Sequence, residues 1–112
     1  MRLLKFNVSG QEIVKAPGCD FTDIVAGTSN YLVAVFDFDK DWADKTKIAA
    51  FYSYPDQKEH AVLIRNNVCM IPPEATDCDL FKVGVVGSKD GQRITTNLIT
   101  VMQERGSGQW RQ

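Results

Sequence analysis

One stretch, Tyr31 to Phe38 (YLVAVFDF), restricts what this chain can fold into more than any other. Alternate residues of a strand point to opposite faces. Leu32, Ala34, Phe36 and Phe38 make one set; Tyr31, Val33 and Val35 make the other, which ends at Asp37. A strand apolar on both sides belongs to a sheet covered on both faces, or lies deep in a sandwich. Asp39, Asp41 and Asp44 then return the chain to water, with Trp42 among them as a large anchor on a loop or single helical turn.

The flanking sequence repeats the strand pattern in shorter pieces. Leu4, Phe6 and Val8 alternate with Lys5 and Asn7, and Ser9-Gly10 follows as a turn. Gln11–Lys15 continues as an edge, and Phe21–Val25 forms a weak strand. Lys47–Ser53 and His60–Arg65 are strands, and Asn66-Asn67 is a tight turn from which Val68–Ile71 pairs back as a hairpin. Pro72-Pro73 stops it, and Glu74–Asp79 crosses over with room for one helical turn. Leu80–Val86, the Asp90-Gly91 hairpin signal and a last long strand over Arg93–Met102 complete the series. No segment of helical period reaches ten residues. The fold class expected is therefore all-β: an immunoglobulin-like antiparallel β-sandwich of seven to eight strands, with Leu32, Phe36, Phe38, Trp42 and Phe81 as core anchors. The domain spans residues 1–102, and 103–112, rich in Gly, Ser and charge, is expected to be a flexible tail or linker.

At 112 residues the chain makes one domain that buries an ordinary core without staples. A net charge of −1 supplies no field to hold a polyanion, which argues against nucleic-acid partners. No apolar run approaches the ~20 residues of a membrane helix. The start, MRLLKFNVSG, lacks the apolar length and cleavage site of a signal peptide, so folding in the cytoplasm is expected. Cys19, Cys69 and Cys78 are odd in number and lack metal or redox spacing; they read as reduced thiols packed as small hydrophobes.

The sharpest chemical motif is Asp37-x-Asp39-x-Asp41. Alternate carboxylates open the EF-hand calcium loop, but here Trp42 holds the sixth position, where Gly is needed, and Ile48 the twelfth, where a bidentate Glu belongs. The run reads as a solvated strand end, and no metal or cofactor is expected. His60 is the only histidine and has no evident partner for acid–base or nucleophilic work. Gly84, Gly87 and Gly91 do not form a phosphate loop, because no helix follows them. No catalytic residues are assigned. Tyr52, Tyr54, Glu104, Arg105 and Trp110 are the candidates for a protein interface, since exposed Tyr and Trp anchor such surfaces; the competing reading is that Phe51 and Tyr52 face the two sides of one sheet and only Tyr54 is exposed.

Several segments in order, FNVSGQ, NYLVAVFDFDKDW, KIAAFY, AVLIRNNVCMIPPE, FKVGVVG and RITTNLITV, resemble a small module of virion proteins of tailed bacteriophages and prophages. That module includes the N-terminal domain of baseplate upper proteins and domains at the base of head or tail fibres. The likeness runs from Leu3 to Val101. It implies a non-enzymatic immunoglobulin-type sandwich, assembled in the host cytoplasm and located in the virion. Its partners would be capsid, tail or baseplate subunits, with the chain multicopy or a homo-oligomer on a symmetric particle. A role as a decoration, fibre-base or baseplate adaptor module follows. The alternative is a carbohydrate-binding host-recognition module using Tyr54, Trp110 and the Asp37–Asp44 loop.

Overall fold

The computed structural model describes residues 1–107. Two sheets face each other across one core. The first holds β2 (Glu12–Lys15), β1 (Arg2–Ser9), β3 (Leu32–Phe38) and β6 (Val68–Met70) in that order; the second holds β5 (Glu59–Leu63), β4 (Thr46–Ser53) and β7 (Leu80–Lys89), with β8 (Gln92–Thr95) and β9 (Ile99–Met102) both on the far side of β7. This is the all-β sandwich the alternation demands. Every strand pair is antiparallel except β1 and β3, which run parallel in register from Arg2 beside Leu32 to Val8 beside Phe38. A parallel pair needs a long crossover, and β2 with residues 16–31 supplies it.

The core is the inward set of each sheet. From the first come Leu4, Phe6, Val8, Leu32, Ala34 and Phe36; from the second, Ala49, Phe51, Phe81, Val83, Val85 and Val101. Four of the five expected anchors, Leu32, Phe36, Trp42 and Phe81, are buried. Phe38 is half-buried and packs against the core from the end of its strand. Rings run through the interior as a chain: Phe21 on Phe6 at 5.4 Å, Phe6 on Phe36 at 5.6 Å, Phe36 on Phe38 at 5.7 Å and Phe38 on Trp42 at 5.3 Å. Such contacts add roughly 0.5–1.5 kcal/mol each beyond the area they bury. Trp42 sits on a 3-10 turn (Lys40–Trp42) capped by the Asp39 side chain.

The structure corrects four local expectations. Phe21–Val25 is not a strand: it is a loop pinned by its Phe21 ring, by buried Ile24, and by the Arg2 guanidinium, which donates to the carbonyls of Asp20, Thr22 and Asp23. Val68–Ile71 does not form a hairpin with the strand before it. Asn66 and Asn67 adopt the left-handed geometry of a tight turn, φ 54° and 63°, but the turn closes only at Arg65 and Val68; beyond it β6 joins β3 in the other sheet. The last long strand is split. Thr96, Asn97 and Leu98 bulge out between β8 and β9, opposite Gly84 and Val85, which brings the strand count to nine among the described residues. The bulge has a purpose in the packing: the Asn97 amide accepts from Ile13 N–H (2.8 Å) and donates to Ile13 C=O (3.4 Å), so it seals the β2 edge of the opposite sheet.

The fourth correction is at the chain end. Residues 103–106 belong to the fold rather than to a flexible tail. Gln103 is buried, and its Nε2 donates to the carbonyls of Thr76 (3.1 Å) and Cys78 (2.8 Å). Glu104 N–H donates to Ile24 C=O (2.7 Å), and Ala26 N–H donates back to Glu104 C=O (2.8 Å). Gly106 lies so close to the Ala26 carbonyl that a Cβ there would collide with it.

Candidate binding surface

Three segments distant in sequence meet at one end of the sandwich: the β4–β5 connection (54–58), the short helix α1 (Pro73–Thr76) with the chain after it to Asp79, and the exit from β9. Between them is an open cleft of about 720 Å³, lined among others by Tyr54, Asp56, His60, Cys78, Asp79 and Arg105. Four carboxylates (Asp56, Glu74, Asp77, Asp79) border it against Lys58 and Arg105, so the cleft is acidic. The Asp56 carboxylate accepts from the Ser53 hydroxyl at 2.7 Å, which holds its pKa below the usual range. Arg105 approaches Asp79 at 4.0 Å with both side chains well exposed, a pair worth little in water.

The cleft places His60 and Cys78 on one lining, which no sequence spacing announced. The thiol does not address the imidazole. It donates towards the carbonyls of Ala75 (3.1 Å) and Leu80 (2.8 Å), and burial pushes its pKa up, with Asp56 and Asp77 adding to the shift. A thiolate nucleophile needs the opposite environment. Cys69 is further still from reactivity, with burial raising its thiol to about 12.

The acidic run after β3 is occupied with structure. Asp39 accepts from Asp41 N–H (3.0 Å) through one oxygen, and from Gly10 N–H (2.8 Å) and Ser9 hydroxyl (3.1 Å) through the other. It caps the 3-10 turn and ties it to the β1–β2 turn. Among the described residues no group of three or more His, Cys, Asp or Glu side chains comes together as a metal site.

Of the interface candidates, Tyr54 is the best placed. It is 46% exposed and lines both the acidic cleft and an adjoining hollow of about 300 Å³ bordered by Tyr52, Lys82 and Leu98. Tyr52 stands on the outer face of the sheet while Phe51 is buried inside, as strand alternation requires. Its hydroxyl donates to the Glu59 carboxylate at 2.6 Å, and that bond raises the phenol's pKa. Arg105 joins Tyr54 at the cleft. Glu104 exposes its side chain but spends its backbone on the fold, and Trp110 lies outside the described residues. Glu74, Asp77 and Asp79 were not foreseen as neighbours of Tyr54, because they come from a separate segment of the chain.

The chain matches no protein-family model, no curated protein and no solved structure.

Proposed function

We propose that the protein is a non-enzymatic structural component of a bacteriophage or prophage particle, a sandwich module that attaches to capsid, tail or baseplate subunits. The likeness of its strand sequences to virion modules suggests the particle. The observation that carries attachment is Tyr54: an exposed aromatic at the shared rim of a cleft and a hollow, held on a short loop between two strands of a rigid sheet. A tyrosine so placed supplies large contact area at low entropic cost. Charge around it selects a partner with basic groups. Three unpaired cysteines agree with assembly in a reducing cytoplasm. Many copies on a symmetric shell would let a modest single contact hold through avidity.

Incorporation into particles tests the reading. Tyr54→Ala and Asp79→Lys should each lower the amount of protein that co-purifies with particles at least several-fold, with melting temperatures near that of the parent chain. Unchanged incorporation of both variants removes this surface from the account. A second reading has support in the same residues, because an exposed tyrosine beside carboxylates also suits a sugar ring and its hydroxyls. Binding to a glycan array without any virion partner favours that carbohydrate-recognition role instead.

A further inference from the structure

We infer that the β5 edge of the five-stranded sheet is a strand-pairing site for a second copy of the chain: two β5 strands join antiparallel about a twofold axis at Ala61, and the sheet runs on from one copy into the other. This goes beyond attachment to a particle and does not depend on it. Backbone direction decides the site. Ser53 N–H donates to Lys58 C=O (3.2 Å) and Ile64 N–H to Lys47 C=O (2.9 Å), so positions 58, 60, 62 and 64 turn their backbone groups towards β4. An antiparallel ladder alternates, so Glu59, Ala61 and Leu63 turn theirs outward. Among the described residues these outward N–H and C=O groups meet no hydrogen-bond partner, and all three residues are exposed. Ala61 shows that the edge itself is exposed: Ala50, its ladder partner one strand further in, is only 5% exposed.

Sheets guard such edges against pairing. Here β2 is sealed by Asn97, β6 is three residues long with Val68 tied to Arg65 by two backbone bonds, and the 96–98 bulge interrupts the side of β7 that carries β8 and β9. Between Glu59 and Leu63, β5 has neither proline nor bulge.

One register satisfies the whole edge. With the axis at Ala61, Ala61 pairs with Ala61 of the other copy, and Glu59 with Leu63 in both directions, giving about six hydrogen bonds. Centring on His60 would send Leu63 to Gln57, which lies in a turn at φ 56°; centring on Val62 would send Glu59 to Arg65, whose N–H and C=O already bond Val68. Side chains agree with the same register. The smallest one, Ala61, lies on the axis, where two copies of one residue must meet. Glu59 and exposed Arg65 of the other copy become diagonal neighbours, within reach of long side chains, and symmetry makes that pair twice. On the inner side half-buried His60 stands opposite half-buried Val62. Pairing along one short strand buries less than a standard interface, so the dimer is weak, with a dissociation constant on the order of 100 µM.

Sedimentation velocity of the full chain from about 5 µM to about 1 mM tests the inference, and the expected result is a monomer–dimer equilibrium. Ala61→Pro removes an outward N–H and leaves the β4 ladder whole, so it should weaken the dimer at least about tenfold while circular dichroism shows the fold retained. Glu59→Arg should weaken it several-fold by facing Arg65 of the other copy, and Glu59→Arg combined with Arg65→Glu should restore it. Within one chain these two positions lie roughly 20 Å apart along β5, so the rescue can only act between copies. A chain that stays monomeric throughout overturns the inference, whatever else pairs with β5; so does a dimer as tight in Ala61→Pro as in the parent, or a double variant no tighter than Glu59→Arg.

Discussion

Trp42 connects three parts of the molecule through one side chain. It is fully buried, its ring ends the aromatic chain begun at Phe21, and its Nε1–H donates to Gly10 C=O at 2.8 Å. On its other side the indole lies against Gly87, where a Cβ would stand 2.7 Å from the ring. Trp42→Ala should cost about 3–5 kcal/mol in chemical denaturation, as large aromatic truncations do. A cost under ~1 kcal/mol would place the ring outside the core. Cysteine chemistry gives a second test at this scale. At pH 8 a thiol raised to about 12 holds roughly one part in 10⁴ as thiolate. Cys69 should therefore resist alkylation in native protein and react only in denaturant, with Cys78 slow for the same reason; mass spectrometry of labelled peptides reads the order. Rapid native labelling of Cys69 would contradict its burial.

At the scale of elements, the parts legible in the sequence were those decided locally. Alternation fixed the inner and outer sets of β1, β3, β4 and β7, and Asp90-Gly91, with φ of 52° and 82°, made the hairpin its composition promised. Asn66-Asn67 has the same local geometry and led the reading astray, because the partner of β6 is chosen by the free edge of β3 and not by the turn. The split of β8 from β9 was hidden for a similar reason: Asn97 leaves the ladder to satisfy Ile13, a residue 84 positions away. Residues 103–106 looked like a tail because their bonds go to Ile24, Ala26, Thr76 and Cys78, none of them near in sequence. That gives a prediction: Gln103→Ala removes the donor to two carbonyls and should cost about 1–3 kcal/mol. Ending the chain at Met102 should cost more and lower the melting temperature by 10 °C or more, at roughly 4–8 °C per kcal/mol. An unchanged melting curve for the shortened chain would return these residues to the status of a tail.

The whole molecule is a sandwich whose interior is settled and whose outside is not. Both edges of the four-stranded sheet are managed: β2 is sealed by Asn97, and β6 is only three residues long. Among the described residues Ile48 and Leu63 on the outer face of the five-stranded sheet are exposed, as is Tyr54 at its end, and the hollow that Tyr54 lines is bordered by Tyr52 and Lys82 of that same face. The candidate site was legible in part: Tyr54 stood out as an exposed residue after a strand with Asp56 beside it in sequence, but Glu74, Asp77 and Asp79 converge on it from a separate segment and left no local signal. Electron microscopy of purified particles carrying gold-labelled protein tests the attachment account most directly. The account predicts label at repeated, symmetry-related positions on the particle. Particles free of label, with the protein found only in the unassembled fraction, would contradict it.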